Sequence, residues 1–227
     1  MTWLTPDGLA AALVVGAAVL WGFGWRGAVV LLAFFISGSL LTRFATGGGA
    51  RRTARQVAAN GGVAAVAALL GSWSAAMGAI AAATADTWAT EFGVFSPVPP
   101  RLVTTWTRAP RGASGGVTAL GTLGGALGAL LIAVLAHHFA PHAPAPGVPV
   151  IAFVGMAGML ADSLLGATAQ GLYECAACGS QTERREAACH GAVRLIKGWR
   201  WLDNDAVNLL ATVVGAVLAL VSTRAVS

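Results

Sequence analysis

Long apolar stretches with almost no charge constrain this chain more than any other feature of its sequence. Only 10% of its 227 residues are charged, whereas a soluble domain carries about 25%. A helix needs about 20 apolar residues to cross the hydrocarbon core of a bilayer. The sequence therefore predicts an all-α, polytopic membrane helix bundle that forms a single integral membrane domain over residues 1–227. Its seven predicted segments are 8–23, 27–42, 61–72, 74–90, 116–138, 149–170 and 205–223.

Two of the seven predicted segments are short for a full span. Residues 61–72 and 74–90 could cross the membrane at a tilt, or could form a helical hairpin that does not fully cross. Six to seven spans are therefore expected. The chain begins without the basic region that precedes the apolar stretch of a signal peptide, so we expect the first segment to be retained as a helix.

Basic residues follow the second, fourth and sixth predicted segments. Apart from Arg26 and Arg224, every one of the 14 Lys and Arg lies in these alternate loops. Short loops rich in Lys and Arg stay in the cytoplasm. The pattern predicts a multi-pass protein of the cell (inner) membrane with a cytoplasmic N-terminus. The net charge of +5 reflects this topology and attraction to anionic groups, and it does not indicate a nucleic-acid partner because the basic loops lack the folded module expected of one.

The chain has only nine acidic residues, and several lie where charge is costly. Asp86, Asp162 and Asp205 fall within or at the ends of apolar segments, all on the predicted cytoplasmic side. Ionisable groups in a membrane usually face a cavity, a partner or an ion. Each could alternatively neutralise a nearby Arg, but three on one side favour a functional cluster. Glu91 could join Asp86 if the last helical turn unwinds before Pro97.

A second polar group opens the last predicted segment. The spacings of three and four residues place Asp205 with Asn208, and Asn204 with Asn208, on one helical face. Oxygen ligands of this type suit Mg²⁺, which commonly binds through one or two carboxylates together with substrate phosphates. The alternative is that Asn204 and Asp205 form a plain helix N-cap.

A glycine-rich stretch with arginines lies between the fourth and fifth predicted segments. A glycine-rich turn that opens a helix offers backbone N–H groups to an anion, and arginines add charge-assisted hydrogen bonds to phosphate oxygens. A simple flexible linker is the alternative. The candidate phosphate-binding residues are Arg108, Arg111, Gly112, Ser114, Gly115 and Gly116.

The polar loop 171–203, predicted to be cytoplasmic, carries all three cysteines. Cys175 and Cys178 are spaced as C-x-x-C, and Cys189 is followed directly by His190. Three thiolates and an imidazole could hold a structural zinc ion in tetrahedral geometry. Reduced, unliganded thiols remain the alternative.

Five motifs in order resemble an integral membrane family catalogued as domain of unknown function 92. The match extends from residue 51 to residue 208. The motifs are Arg51-Arg52-Thr53-Ala54-Arg55-Gln56-Val57-x-x-Asn60-Gly61, Ala85-Asp86-Thr87-Trp88-Ala89-Thr90-Glu91-x-Gly93, Gly112-x-x-Gly115-Gly116-Val117 with Gly121-Thr122, Asp162-Ser163-x-x-Gly166-Ala167-x-x-Gln170, and Asn204-Asp205-x-Val207-Asn208.

This resemblance implies a reaction. The family includes the phytyl-phosphate kinase of vitamin E biosynthesis, which converts an isoprenyl monophosphate to its diphosphate. The segment from Asp86 to Gly93, with the glycine-rich loop after it, is also similar to the nucleotide-site motif of dolichol kinase and the CTP-transferring membrane enzymes. That second similarity implies a nucleoside triphosphate donor, CTP being favoured, together with Mg²⁺.

Together these observations support the hypothesis of a membrane-embedded isoprenyl-phosphate kinase. Phosphoryl transfer needs mainly positioning and charge neutralisation. Mg²⁺ is expected on Asp86, Glu91, Asp162 and Asp205. The glycine-rich loop with Arg108 and Arg111 is expected to hold phosphates, and Asn60, Asn204 and Asn208 to orient them.

The expected partners are an isoprenyl phosphate lipid, a nucleotide and membrane lipids; prenyl chain length and oligomeric state are left open. The alternative function is a transporter of a small ion or a phosphorylated lipid, since intramembrane carboxylates also serve transport. A transporter needs its polar groups near the membrane midplane, whereas here they gather on one predicted side.

Overall fold

The computed structural model describes residues 3–47, 51–141, 147–185, 189 and 191–224. The described chain is mostly helical, and four of its helices (α1, α4, α5 and α6) are long and apolar enough to cross a membrane. The six helices are α1 Pro6–Thr46, α2 Ala54–Leu69, α3 Trp73–Val94, α4 Ala119–His138, α5 Val148–Thr168 and α6 Asn204–Arg224.

Short strands in the polar loops modify the all-α prediction. One antiparallel pair lies between α3 and α4, and a three-stranded antiparallel sheet in the order β4-β3-β5 lies between α5 and α6. The helical bundle is as predicted, because hydropathy reports the apolar segments and not the pairing of two- to five-residue strands. The strands are β1 Arg101–Leu102, β2 Gly116–Val117, β3 Leu172–Cys175, β4 Gln181–Thr182 and β5 Val193–Lys197.

Helix α1 is a hairpin of two arms. A straight helix would place Gly8 and Gly38 about 45 Å apart, yet both lie against Arg52. The chain reverses at Gly24, whose φ of 62° and ψ of −155° belong to a region that only glycine adopts readily. The arms, 6–23 and 25–46, correspond to the first two predicted segments.

The third and fourth predicted segments begin or end elsewhere. Helix α2 starts at Ala54, well before residue 61, because Thr53 and Gln56 form a capping box that satisfies its first N–H groups. Helix α3 continues regularly to Val94. The unwinding that would bring Asp86 and Glu91 together therefore does not occur, and the two side chains leave one regular helix in different directions.

Helix α3 forms the centre of the bundle and is buried along most of its length. Its alanines and glycines let neighbouring backbones approach closely, as in other membrane helix bundles. A Cβ atom at Gly158 of α5 would lie 3.0 Å from the Ala211 carbonyl oxygen of α6, and one at Gly155 would lie 3.0 Å from the Ala81 Cβ of α3. Small residues thus set the helix spacing around α3.

The three basic loops meet at one end of the bundle. Arg55 at the start of α2 pairs with Asp203 before α6 at 2.7 Å. The Ser114 hydroxyl, in the loop before α4, donates to Glu183 in the loop after α5 at 2.7 Å. Because successive segments alternate in direction, loops that are far apart in sequence share this end, which we call the polar end.

Candidate functional site

A cavity of about 920 Å³ opens among the loops and helix termini of the polar end. Its lining combines carboxylates, guanidinium groups, hydroxyls and the glycine-rich loop. Such a mixture suits a ligand that carries phosphates together with a divalent cation. The ionisable residues of the lining are Arg43, Arg51, Arg52, Asp86, Glu91, Arg111, Asp162 and Glu183.

Asp86 of α3 and Asp162 of α5 form the acidic part of the cavity. Their helices meet across Gly125 of α4, where a Cβ would lie 3.0 Å from the Ala85 carbonyl oxygen and would also press on the Met159 sulfur. The Asp162 Oδ2 atom is buried and has no hydrogen-bond partner among the described residues. An unpaired buried carboxylate oxygen is costly, and either protonation of the carboxyl or a bound cation would remove that cost.

The carboxylates do not form a complete cage for a metal. In the described part of the chain, no three of them place oxygen atoms within 4.8 Å of one another. Mg²⁺ usually keeps several waters and binds through one or two carboxylates plus substrate phosphates. Asp86 and Asp162 fit that donor set.

Glu91 is directed away from this pair. Its Oε1 atom accepts a hydrogen bond from the Thr42 hydroxyl of the second α1 arm at 2.6 Å. The residue lines the cavity but lies on the side formed by α1. The five-residue separation from Asp86 on a regular helix accounts for this, because it turns the two side chains about 140° apart.

The glycine-rich loop is anchored rather than free. Gly112 and Gly115 have φ angles of 82° and 78°, and Gly115 packs so closely on Ala167 of α5 that a Cβ would lie 2.6 Å from the Ala167 nitrogen. The loop does not open α4 directly, as the sequence had suggested, because β2 intervenes and Thr118 caps the helix. Its backbone still faces the cavity.

Glu183 binds the glycine-rich loop. Its carboxylate accepts from the Ser114 N–H at 2.8 Å and from the Ser114 hydroxyl at 2.7 Å. Gln170 donates to the same carboxylate at 2.9 Å. Glu183 is not identified from the sequence, because an acidic residue in a polar loop is unremarkable. Its only distinction in the sequence is that the chain has just nine acidic residues.

Arg111 lines the cavity next to this loop. Its Nη2 atom donates to the Ser96 carbonyl oxygen at 2.8 Å, which ties the loop to the end of α3. A guanidinium has five N–H donors, so this contact leaves others for a phosphate group. The predicted role of Arg111 thus remains compatible with its position.

Three of the residues predicted to bind Mg²⁺ or phosphate lie outside the cavity lining that the structure describes. Arg108 is exposed beside Arg101, with which it forms a β-bridge. Asn60 is half-buried on α2. Asp205 lies 3.4 Å from the Arg55 Nε atom, a contact that agrees with the alternative in which it neutralises a nearby Arg.

The start of α6 also differs from the expectation. Asp203, and not Asn204 or Asp205, caps the helix by accepting from the Ala206 N–H at 3.1 Å. Asn204 and Asn208 are therefore left to line the cavity, on one helical face as predicted.

The three cysteines converge at the β3–β4 hairpin. The Cys189 sulfur lies 3.2 Å from that of Cys175 and 3.3 Å from that of Cys178. Hydrogen bonding with Ser180 lowers the pKa of the Cys178 thiol to about 6, so the metal-binding thiolate form predominates at neutral pH. The donor set fits zinc. His190, the predicted fourth ligand, lies outside the described residues.

We expect purified protein to contain about one equivalent of zinc, because three convergent thiols leave only one position of a tetrahedral site to fill. Elemental analysis measures this directly. Cys178→Ser is expected to remove most of the zinc, and His190→Ala tests the fourth ligand. Wild-type protein without zinc near one equivalent would reject the site and leave reduced thiols as the interpretation.

The chain is similar over most of its length to known integral membrane proteins. The family model described as Integral membrane protein DUF92 matches residues 1–216. An uncharacterized membrane protein of Methanocaldococcus jannaschii is 31% identical over 96% of this chain and 84% of its own length. In Arabidopsis thaliana, Protein PGR is 28% identical over 88% of this chain and 82% of its own length, and Protein VTE6, chloroplastic, is 23% identical over 97% and 65%. No solved structure matches the chain significantly.

Proposed function

The chain belongs to the integral membrane family DUF92, and from this premise we propose that it is a membrane-embedded isoprenyl-phosphate kinase. It transfers the γ-phosphoryl group of a nucleoside triphosphate, with CTP as the favoured donor, to an isoprenyl monophosphate such as phytyl phosphate. The products are an isoprenyl diphosphate and a nucleoside diphosphate. Support comes from the resemblance of its motifs to those of a family that includes phytyl-phosphate kinase.

The observation that carries the proposal is the composition of one cavity. Asp162 presents a buried carboxylate oxygen that has no partner among the described residues, beside a lining that also contains Asp86, Arg111 and the glycine-rich loop. Phosphoryl transfer depends on such neutralisation of phosphate charge by a metal ion and by cationic groups, with little covalent work for the protein. Asp86 and Asp162 would hold Mg²⁺, which would supply charge neutralisation at the transferring group.

The chain's own residues position the reactants. Arg111 and the N–H groups of Gly112 and Gly115, which have no partner among the described residues, bind phosphate oxygens of the donor, while Asn204 and Asn208 orient them by hydrogen bonds. A phosphate oxygen of the acceptor attacks the γ-phosphorus, and the bond from that phosphorus to the bridging β–γ oxygen breaks. The acceptor is already anionic, so the reaction needs no general base.

The membrane setting fits a lipid acceptor. The outer faces of the helices expose large apolar side chains such as Leu127, Phe153 and Val217, which suit contact with lipid. We propose that the prenyl chain lies in an apolar groove between helices with its phosphate at the cavity, and that the polar end faces the cytoplasm, as the distribution of Lys and Arg predicts.

The distribution of polar residues favours a kinase over the alternative transporter. The cavity residues lie at the polar end, whereas fully buried Met77, Ile80 and Ile132 fill the bundle centre. Transport would require polar groups near the midplane with access to both faces. The large apolar side chains at the bundle centre instead close the path that a transported ion or lipid phosphate would take.

A product assay on detergent-purified protein tests the proposal. Phytyl, geranylgeranyl and farnesyl monophosphates are each incubated with Mg²⁺ and each of the four common nucleoside triphosphates. We expect a prenyl diphosphate whose formation requires both nucleotide and Mg²⁺, and omission of either provides the control. If no pair yields product although prenyl phosphate still binds, and nucleotide-independent flux appears in proteoliposomes, the transporter is the correct interpretation.

A further inference from the structure

Arg52 is fixed at the junction of the N-terminal segment and α1. Its N–H donates to the Trp3 carbonyl oxygen at 3.0 Å, and its own carbonyl oxygen accepts from the Thr5 N–H at 3.1 Å. The side chain runs beneath the second α1 arm, where a Cβ at Gly38 would lie 2.9 Å from Nη2. A glycine at residue 38 therefore makes room for the guanidinium, which lines the cavity.

The surroundings of this guanidinium leave its charge largely uncompensated. Among the described residues it makes one side-chain hydrogen bond, from Nη1 to the Ser39 hydroxyl at 3.2 Å, and it lies 5.9 and 5.6 Å from the ring centres of Phe34 and Phe35. In the described part of the chain no carboxylate oxygen comes within 4.0 Å of it. A half-buried cation with spare donors is arranged to receive an anion.

The carboxylate of Glu91 does not supply that anion. Glu91 interacts with Arg52 only at longer range, and one of its oxygens is already bound to Thr42 at 2.6 Å. Burial lowers the pKa of Arg52, and the charge of Glu91 opposes this shift. Glu91 thus moderates the cost of burying the guanidinium without occupying its donors.

The position of Arg52 separates it from the donor-phosphate residues. In the glycine-rich loop, Gly115 packs on Ala167 of α5, and Arg111 binds the carbonyl oxygen of Ser96 just after α3. Arg52 instead lies against Gly38 and Ser39 of the second α1 arm, and Arg43 and Arg51 line the same cavity. On that arm, Leu32, Ile36 and Leu40 form an exposed apolar stripe at a spacing of four residues. A phosphate attached to an apolar chain matches both features.

We propose that Arg52, assisted by Arg43 and Arg51, binds the phosphate of the acceptor lipid on the α1 side of the cavity, with the prenyl chain along the second α1 arm. This assignment rests on the proposed kinase function in one respect, which is that the bound lipid phosphate is called the acceptor of the phosphoryl group. The chemistry that Arg52 recognises is a phosphate monoester carried by an apolar chain, and free phosphate shares only the first of these features.

Steady-state kinetics separate the two sides of the cavity. For Arg52→Gln we expect the KM for geranylgeranyl monophosphate to rise about tenfold or more, because a charge-assisted hydrogen bond is lost. The KM for nucleotide should change little. Arg111→Gln is expected to raise the KM for nucleotide and to leave the KM for geranylgeranyl monophosphate nearly unchanged. Arg194 is exposed and lies outside the cavity lining, so Arg194→Gln should change neither KM. An equal rise in both KM values for Arg52→Gln, or an unchanged acceptor KM, would overturn the assignment.

Binding without nucleotide or Mg²⁺ tests the assignment independently of catalysis. Wild-type protein is expected to bind geranylgeranyl monophosphate more tightly than geranylgeraniol, and Arg52→Gln to lose this preference while still binding the alcohol, which also shows that the variant is folded. Competition by inorganic phosphate alone, as strong as that by the lipid, would make the site one for free phosphate. The protein could also bind the lipid in a way that depends on its phosphate and on Arg52, yet transfer no phosphoryl group. That result would reject the kinase function and retain Arg52 as the binding residue for the lipid phosphate.

Discussion

Asp86→Asn is expected to lower the initial rate of prenyl diphosphate formation at saturating substrates by at least about 100-fold, because charge neutralisation by a bound metal ion supplies several kcal/mol of transition-state stabilisation. The Asn side chain keeps the shape of Asp86 but loses the negative charge that we propose holds Mg²⁺. Expression and detergent extraction should be unaffected, since Asp86 makes no side-chain hydrogen bond among the described residues.

A matched control separates this effect from a general loss of acidic charge at the polar end. Asp203→Asn makes the same chemical change outside the cavity lining, and Asn retains the ability to cap α6. We expect it to keep most of the activity. A second readout is thermal: Mg²⁺ should raise the melting temperature of the wild type by mass action and fail to do so for Asp86→Asn. Substantial turnover by Asp86→Asn would remove this residue from the proposed metal site.

Gly115→Ala is expected to disrupt the glycine-rich loop and to raise the KM for nucleotide strongly. Gly115 has a φ of 78°, where a residue with a Cβ incurs strain of about 1–3 kcal/mol. In addition, the new Cβ would lie 2.6 Å from the Ala167 nitrogen, so the loop must move away from α5. Nucleotide kinetics and the melting temperature of the variant measure both consequences.

Gly112→Ala in the same loop isolates the contribution of strain. Gly112 has a similar φ of 82°, but a Cβ there meets nothing within 4 Å. We therefore expect a clearly smaller effect than at Gly115. Equal effects of the two substitutions would mean that the close packing on Ala167 does not position the loop.

The amino-acid sequence by itself determined the class of protein and much of its organisation. Apolar stretches of about 20 residues can be satisfied only as helices in a bilayer, so the seven predicted segments recur as the two arms of α1 and helices α2 to α6. Charges inside such stretches are conspicuous, which is why Asp86 and Asp162 could be selected without coordinates. The C-x-x-C spacing is local, so the convergence of Cys175 and Cys178 was also predictable. The family was recognisable from its motifs.

Tertiary structure alone decided which polar side chains share the cavity. Asp205 and Asp162 look alike in the sequence, yet Asp205 pairs with Arg55 and Asp162 has an oxygen without a partner in the part of the chain that the structure describes. The partners of Glu183 and Arg52 were likewise invisible, because the direction of a side chain and contacts between distant segments, such as Glu183 with Ser114, do not follow from hydropathy or spacing. Periodicity reports where a helix runs and which residues it carries, whereas packing against its neighbours determines what those residues face.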